Sequence, residues 1–439
     1  MNAREVALAL LLEYENEGKY INLSLSSHKA DALSREERSF LTVLLYTAVE
    51  KKITYDYYIG ALAERSLDKI DTVTKNILRL GICQILDMDS VPDFAAVNET
   101  VKLAKNSGSR SFVNGVLRRL IREKGSLPLP KREKNLSRYL SVRYSFPLHI
   151  VRHFIAILGE AGAEEYLAAS STIPPTDLTV NTLKISVDDF ISKLSCSGIS
   201  ATPHKFSPLT VRIEGSIDPR DLPGFTEGEF FVQDAASAIA VTALRPLAGE
   251  RIIDVCSAPG GKSMAAAILS CNKAHVISCD IHSSKLSLIE ESAKRLSVTS
   301  LSVFERDALV PDTTLFGTMD KVICDVPCSG LGVLRKKPDL RYRSEEGIES
   351  LPALQYEILK SSAQYLKDGG VLLYSTCTVN PKENEDVVKR FLKENEGYTS
   401  QDFNLSGLKS ENGRLTLYTH IHNTDGFFIA LIKKGTSNE

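Results

Sequence analysis

Residues 254–263 read Asp-Val-Cys-Ser-Ala-Pro-Gly-Gly-Lys-Ser, and this stretch decides the fold of the second half of the chain. It overlaps the end of an apolar run, Arg251–Val255, that is typical of a strand, and a helical pattern follows at Lys262–Leu269. Small residues between a strand and a helix let the backbone approach a ligand closely, and the start of the helix offers N–H donors. The stretch therefore predicts a ligand-binding loop at the carboxyl end of a strand in an α/β sheet.

The alternation of strand and helix continues from this loop to the end of the chain. Strands are predicted at Arg251–Val255, His275–Cys279, Leu301–Phe304, Lys321–Cys324, Val371–Tyr374 and Gly426–Lys433. Helices are predicted between most of them, at Lys262–Leu269, Ser283–Leu296, Ile348–Leu366 and Lys382–Glu394. Units of this kind predict a parallel sheet with right-handed crossovers and helices on both faces.

Two further regions precede this sheet, as expected for a chain of 439 residues. Residues 1–124 have apolar positions at spacings of three and four, which predicts a small helical bundle, and the Gly- and Pro-rich stretch 125–130 predicts a linker. Short strand-like runs at Asp177–Asn181 and Leu209–Ile213, with a helical run at Val187–Leu194, predict a small α+β connector. We therefore divide the chain into domains at 1–138, 139–238 and 239–439.

The overall composition, 43% hydrophobic and 25% charged, is that of an ordinary globular protein. No apolar run near the start is long enough to span a membrane or flanked like a signal peptide, so we expect a cytoplasmic protein. None of the eight cysteines forms a C-x-x-C pair, which argues against a bound metal, and a disulfide framework is not expected either. Most of these cysteines are expected to be buried small apolar residues.

Positive charge is concentrated in one segment, although the net charge is only −2. Between Val101 and Ser145 only Glu123 and Glu133 oppose twelve basic residues. These are Lys102, Lys105, Arg110, Arg118, Arg119, Arg122, Lys124, Lys131, Arg132, Lys134, Arg138 and Arg143. Such an excess can supply phosphate contacts to a nucleic acid, or it can be a solvated helix face followed by a basic linker; charge alone leaves both readings open.

The loop is unlike the common nucleotide-binding loops. Gly261-Lys262-Ser263 ends like a P-loop, but Cys256 stands where the first glycine of that motif belongs, and the dinucleotide pattern G-x-G-x-x-G is absent. Asp280 ends the second strand, where a carboxylate can bind the two hydroxyls of a ribose, and Asp307 follows the third strand, where it can meet an adenine amino group. These residues predict a different adenosine cofactor.

Two cysteines follow the next two strands. The fourth strand leads into Asp325-Val326-Pro327-Cys328-Ser329-Gly330, and the fifth leads into Ser375-Thr376-Cys377-Thr378. Because the carboxyl ends of parallel strands meet at one edge of a sheet, both cysteines are expected beside the cofactor loop.

These motifs closely resemble those of RNA cytosine-C5 methyltransferases, and the resemblance covers essentially the whole chain. The first 140 residues, including Phe112–Arg119, resemble the NusB-type domain of the Sun/Fmu branch, which methylates small-subunit (16S) ribosomal RNA, and the closing Asp425–Phe428 belongs to the same pattern. Ser257 and Val326 stand where this family usually has Ala, and His149 stands where it often has Trp. These changes leave the implied chemistry intact.

The resemblance implies a Rossmann-like S-adenosylmethionine methyltransferase sheet with an antiparallel final strand, preceded by an α+β connector and an all-α NusB-like domain. It implies that S-adenosylmethionine is held by Cys256, Ser257, Ala258, Pro259, Gly260, Gly261, Lys262, Asp280, Asp307 and Asp325. It also implies that the Cys377 thiolate attacks carbon 6 of the cytosine, that Cys328 assists product release and that Asp325 binds the base. The implied partner is small-subunit ribosomal RNA, either naked or within an assembly intermediate; the oligomeric state stays open.

Three rival interpretations come from other classes of protein. An amino-group methyltransferase needs an aromatic ring where Cys328 stands, so it fits poorly. A DNA cytosine methyltransferase would attack from Cys328, and the presence of Cys377 favours the RNA enzymes instead. A non-catalytic RNA-binding module would not need the intact acids and both cysteines. The same chemistry on transfer RNA, or on another ribosomal site, is the nearest alternative.

Overall fold

The computed structural model describes residues 2–17, 33–215 and 217–436. The chain divides into two compact units: residues up to 171 together with 337–342 form the helical unit, and residues 172–336 together with 343 onward form the sheet unit. The domain limits at 138/139 and 238/239 remain predictions.

The helical unit confirms the predicted all-α character of the first part of the chain. Its helices are α1 (Ala3–Glu17), α2 (Arg35–Glu50), α3 (Lys52–Ala63), α4 (Thr72–Asp87), α5 (Asp93–Lys102), α6 (Ser107–Glu123), α7 (Leu136–Tyr144) and α8 (Leu148–Ala169). The start of α2 is fixed by a capping box, in which the Ser34 hydroxyl accepts the Glu37 N–H at 3.2 Å and the Glu37 carboxylate accepts the Ser34 N–H at 3.3 Å. Apolar side chains at helical spacing, such as Val6 and Leu10, form one buried core.

Residues 337–342 belong to the helical unit although 165 residues of the sheet unit, 172–336, precede them in the chain. The side chain of Arg341 is fully buried there and donates to the Glu50 carboxylate at 2.9 Å and to the Ser170 carbonyl at 2.8 Å. Its guanidinium also lies 4.1 Å from the centre of the Phe146 ring. A buried cation needs such partners, because its lost hydration must be replaced. No periodicity in the sequence predicts this excursion.

The first part of the sheet unit is the expected α+β connector. Its strands are β1 (Thr176–Val180), β2 (Ala201–His204), β3 (Ser207–Ile213) and β4 (Phe230–Val232), joined in the antiparallel order β2-β3-β1-β4. Helix α9 (Val187–Cys196) buries Phe190 and Leu194 among the apolar residues of this small sheet. The small sheet therefore has a core of its own.

The rest of the sheet unit is a doubly wound sheet that confirms the predicted fold class. Its strands are β5 (Arg251–Asp254), β6 (His275–Asp280), β7 (Leu301–Glu305), β8 (Met319–Asp325), β9 (Leu366–Thr376), β10 (Tyr398–Ser400), β13 (Arg414–Leu417) and β14 (Phe427–Lys434), while β11 (Asn404–Leu405) and β12 (Leu408–Lys409) form a separate hairpin. The order is β10-β14-β9-β8-β5-β6-β7; β5 to β9 are parallel, and β14 is antiparallel to β9. The strand order reverses between β5 and β8, which creates a crevice at their carboxyl ends.

The helices of this part are α10 (Ala235–Leu244), α11 (Gly261–Leu269), α12 (Ser283–Leu296), α13 (Glu345–Glu349), α14 (Leu351–Ala363), α15 (Glu385–Glu394) and α16 (Thr419–His422). The helix predicted at 348–366 has the wrong limits. Ile348 belongs to α13, α14 begins at Leu351 with Pro352 in its first turn, and Leu366 lies in β9, where it pairs with Met319. No helix among the described residues is long and apolar enough to cross a membrane.

The expectation for the cysteines holds only in part. Cys83, Cys279 and Cys324 are buried, but Cys196 and Cys271 are exposed, and the remaining three are half-buried. The half-buried cysteines are Cys256, Cys328 and Cys377, which all lie in the motifs at the carboxyl edge of the sheet. Burial alone therefore separates these three from the cysteines of the core.

Gly332 joins the loops that follow β8 and β9. Its N–H donates to the Cys377 carbonyl at 3.0 Å, and its carbonyl accepts the Gly426 N–H at 2.8 Å. A Cβ at this position would lie 1.8 Å from the Gly426 oxygen and 2.8 Å from the Cys377 oxygen, so only glycine allows both contacts.

We expect Gly332→Ala to lower the free energy of unfolding by about 1–3 kcal/mol, because the backbone must move to make room for the methyl group. Gly60→Ala is the matched control: no heavy atom lies within 4 Å of the added Cβ, and alanine should stabilise α3 by about 0.5–1 kcal/mol. Urea unfolding of both variants measures the difference. Equal stability of Gly332→Ala and the unaltered protein would contradict the close approach.

Candidate active site

The loop at residues 255–260 is held over the edge of the sheet by backbone hydrogen bonds. The Ser257 N–H donates to the Cys279 carbonyl at 2.8 Å, and the Gly260 N–H donates to the Ser257 carbonyl at 2.6 Å. Gly260 has a φ of +101°, a left-handed conformation that glycine adopts without strain. The chain then enters α11, whose first turn leaves N–H groups without partners inside the helix. This arrangement can receive a polar ligand.

Two of the predicted cofactor acids lie at or just after the ends of the next two strands, and one of them, Asp280, contacts this loop. Asp280 is buried at the end of β6; its carboxylate accepts the Ala258 N–H at 3.0 Å and the His282 N–H at 3.0 Å, one on each oxygen. Each oxygen keeps a second lone pair, so the side chain can still accept hydrogen bonds from a ribose. Asp307, which is half-buried two residues after β7, accepts the Leu309 N–H at 2.9 Å. These hydrogen-bond acceptors therefore fit an adenosine cofactor.

Lys262 and Asp325 form an ion pair below the crevice. The Lys262 ammonium lies 2.7 Å from one Asp325 oxygen, and the Ser375 hydroxyl donates to the other at 2.6 Å. Lys262 also lies 5.0 Å from the centre of the Phe427 ring and is almost completely buried. Asp325 is thereby fixed in orientation while part of its side chain stays accessible.

A second carboxyl group, Asp254, lies deeper, at the end of β5. It is fully buried; one oxygen accepts the Ser263 hydroxyl at 2.7 Å, and the other has no hydrogen-bond partner among the described residues. Burial raises the pKa of Asp254 to about 7, the negative charge of Asp325 adds to this, and the Ser263 hydrogen bond opposes it. Asp254 ends β5 as Asp280 ends β6 and Asp325 ends β8, and an acid at a strand end is the signal in the sequence that could have identified it.

The two cysteines of the paired motifs meet at the edge of the sheet. The Cys328 sulfur lies 3.0 Å from the Cys377 sulfur, and both side chains are half-buried. The hydrogen bond with Cys377 raises the pKa of Cys328 above its ordinary value, and burial and the charge of Glu383 raise it further. A thiolate, which is the nucleophilic form of a cysteine, is therefore disfavoured at Cys328.

Family models match three successive parts of the chain. The model described as "16S rRNA methyltransferase RsmB/F" matches residues 241–433, the one described as "NusB family" matches residues 1–122, and "Methyltr_RsmF/B-like, ferredoxin-like domain" matches residues 146–219. A relative from Synechocystis sp., named "Probable ribosomal RNA small subunit methyltransferase B", is 35% identical over 99% of this chain and 100% of its own length. The chain belongs to the RsmB/F family of 16S rRNA methyltransferases.

Other comparisons agree with this family. A Bacillus subtilis protein with the same printed name is 33% identical over 99% of both chains. The solved structure of a protein named PH0851 superposes with a TM-score of 0.79, with 25% identity, over 98% of this chain and 97% of that one. As a member of the RsmB/F family, the protein is an S-adenosylmethionine-dependent methyltransferase of 16S ribosomal RNA. The predicted family, cofactor and class of RNA substrate are confirmed.

Three side chains that were not predicted as functional hold the main chain of the Cys328 loop. Gln355, on α14, donates to the Pro327 carbonyl at 2.9 Å, and Arg343 donates to the Cys328 carbonyl at 2.9 Å. The Glu383 carboxylate accepts the Ser329 N–H at 2.8 Å. These side chains are far apart in the sequence and share no spacing, so only the fold brings them together.

The raised pKa of Asp254 predicts a pH-dependent stability. The folded protein holds this proton more tightly than an unfolded chain, whose Asp has a pKa near 3.8, so the contribution is greatest at low pH and is lost as the pH rises towards 7. Between these values each pH unit should cost about 1.4 kcal/mol, and Asp254→Asn should lack this cost. Urea unfolding at pH 5 and 7.5 tests it: the stability of the unaltered protein should fall relative to Asp254→Asn. Parallel pH profiles would contradict the shift.

Proposed function

We propose that this RsmB/F-family enzyme methylates carbon 5 of a cytosine in 16S ribosomal RNA through a covalent bond between Cys377 and carbon 6 of the base. The observation that carries the proposal is the 3.0 Å approach of the Cys328 and Cys377 sulfurs beside the cofactor loop. One sulfur is needed to make the bond to the base, and a second can serve its release. The raised pKa of Cys328, which disfavours a thiolate there, supports Cys377 as the attacking sulfur.

The first step needs a nucleophile because carbon 5 of cytosine does not react with a sulfonium methyl group unaided. When the Cys377 sulfur bonds to carbon 6, the electron pair of the 5,6 double bond forms a 4,5 double bond and the pair of the 3,4 double bond moves to N3, which takes up a proton. Carbon 5 thereby becomes an enamine carbon. In its protonated form Asp325 would donate to N3, where the negative charge collects, and in its ionised form it would accept from the amino group; its orientation is set by Lys262 and Ser375. This arrangement stabilises the charge that develops on attack.

The last step must reverse the first. After methyl transfer a base takes the proton on carbon 5, and the electron pair of that bond re-forms the 5,6 double bond. The bond between carbon 6 and sulfur breaks at the same time, and its electron pair returns to Cys377. Cys328 would assist this release, since its sulfur is next to the bond that breaks. A cytosine in a helix is covered by stacking, so the base must be presented unpaired or flipped.

S-adenosylmethionine supplies the methyl group as a sulfonium electrophile. We propose that residues 256–262, with Asp280, Asp307 and Asp325, hold it. Asp280 would accept from the ribose hydroxyls and Asp307 from the adenine amino group, while the loop and the first turn of α11 offer N–H donors to the carboxylate end. The carboxylates beside the loop and the left-handed Gly260 support this assignment.

The helical region 1–138 would deliver the RNA, residues 139–238 would connect, and residues 239–439 would carry the reaction. Four cations of the basic segment 101–145 form ion pairs with acids: Lys102, Arg119, Lys124 and Arg132. Others are exposed, among them Arg118 and Arg122, which lie one turn apart on α6. We propose that such cations contact phosphates of the ribosomal RNA, naked or in an assembly intermediate, in the cytoplasm.

The two cysteines are distinguished by trapping. We expect Cys377→Ala to abolish methyl transfer and covalent attachment, because the nucleophile is gone. Cys328→Ala should instead accumulate a protein–RNA adduct that survives a denaturing gel, because release fails. The assay uses a transcript of small-subunit ribosomal RNA with S-adenosylmethionine. If Cys377→Ala formed the adduct and Cys328→Ala did not, the two roles would be reversed.

The RNA-binding role of the helical region is tested by charge removal. Arg118→Gln with Arg122→Gln should weaken RNA binding and lower the slope of log affinity against log salt by about 0.7–0.9 for each phosphate that is no longer neutralised. The control is Lys205→Gln with Lys273→Gln, two exposed cations of the sheet unit that give the same change in net charge. A salt slope lowered equally in both doubles would reject a specific role for α6.

A further inference from the structure

The loop that carries Cys328 is held by side chains through its main chain. Gln355 binds the Pro327 carbonyl, Arg343 binds the Cys328 carbonyl, and Glu383 binds the Ser329 N–H. The main chain of three consecutive residues is thus fixed, and these hydrogen bonds therefore determine the position of the Cys328 side chain. A loop after a strand would otherwise be free to place its sulfur elsewhere.

Glu383 differs from the other two because it also reaches the loop that carries Cys377. One of its oxygens accepts the Ser329 N–H at 2.8 Å and the Gln355 amide at 2.9 Å. The other oxygen accepts the Asn380 amide at 2.9 Å, three residues after Cys377. The Tyr374 hydroxyl, from β9, fixes the main chain of Glu383 by donating to its carbonyl at 2.7 Å. A single carboxylate therefore bridges the two cysteine loops.

The burial of this carboxylate is costly, which argues for a specific use. Glu383 is 0% exposed, and no ion pair with it occurs among the described residues. Its charge is balanced only by three N–H donors, although a neutral side chain would be cheaper to bury. A carboxylate can accept all three bonds at once, whereas a glutamine would turn its own N–H₂ group towards one of the donors.

We propose that Glu383 is a positioning residue that holds the Cys328 loop against the Cys377 loop, so that Cys328 stays within reach of the sulfur that carries the base. The proposal rests on the proposed function, because it assigns Glu383 to product release through Cys328. The hydrogen bond with Cys377 and burial raise the pKa of the Cys328 thiol, and the nearby charge of Glu383 raises it further.

The chain offers a variant that separates the hydrogen bonds from the position of the charge. Glu383→Gln places an amide opposite the Asn380 amide, so one bridge is removed. Adding Asn380→Asp lets the new glutamine donate to residue 380 and still accept from Ser329 and Gln355. The double variant therefore restores the bridge and moves the negative charge to residue 380. Glu385→Gln, whose half-buried carboxylate accepts the Thr416 hydroxyl instead, is the matched control.

The experiment follows single-turnover methylation of a small-subunit ribosomal RNA transcript and the adduct on a denaturing gel, with thermal melting and S-adenosylmethionine calorimetry as controls of folding and cofactor binding. We expect Glu383→Gln to form the adduct and to release methylated RNA about 10²-fold more slowly, because a displacement of Cys328 by about 1 Å can cost this much in rate. Glu383→Gln with Asn380→Asp should regain most of the release rate, and Glu385→Gln should match the unaltered enzyme.

Three outcomes would overturn the inference. Release by Glu383→Gln at the unaltered rate would remove any role for Glu383 in placing Cys328. Loss of adduct formation with normal melting and cofactor binding would assign Glu383 to the attack rather than to release. A double variant that folds and binds cofactor, yet remains as slow as the single one, would show that the bridge is not what matters. Cys328→Ala, run in parallel, tests the proposed function separately: failure to accumulate adduct there counts against the roles of the cysteines themselves.

Discussion

The site depends on a close approach of two loops that follow neighbouring parallel strands. The peptide of Gly332 lies between the Cys377 carbonyl and the Gly426 N–H, at distances that leave no space for a side chain. This contact, the Glu383 bridge and the pairing of β8 with β9 together fix two sulfur atoms 3.0 Å apart. Thiols on flexible loops would not keep this distance, because ordering each loop to bring them together costs conformational entropy.

The electrostatics of the crevice follow from burial rather than from net charge. Asp254 and Glu383 are both completely buried, yet they are satisfied differently: Glu383 accepts three hydrogen bonds, while Asp254 has one and carries a raised pKa of about 7. Lys262 forms its ion pair with Asp325, whose carboxylate is more accessible than those of Asp254 and Glu383. A carboxyl group whose pKa is raised to about 7 and an ion pair thus influence one another in the same part of the site.

Much of this could be predicted from local sequence, and the limits of that prediction have clear physical causes. The strands around the loop were predicted within a few residues because buried parallel strands are short, continuous apolar runs. The helix expected at 348–366 is present as α14 but ends earlier, because Leu366 is apolar and fits a helix or the start of β9, and only its pairing with Met319 decides between them. Residues 337–342 escaped prediction altogether, since the buried partners of Arg341 are supplied by Glu50 and Ser170.

The sequence alone determined which residues stand at the ends of the strands: the loop at 254–263, Asp280, Asp307, Asp325, Cys328 and Cys377. It could do so because alternating strands and helices predict parallel strands, and the carboxyl ends of parallel strands lie at one edge of the sheet. Tertiary structure decided what these groups do to one another. The distance between the two sulfurs, the raised pKa of Cys328 and the buried bridge at Glu383 all depend on side chains from separate elements, and no spacing along the chain encodes their meeting.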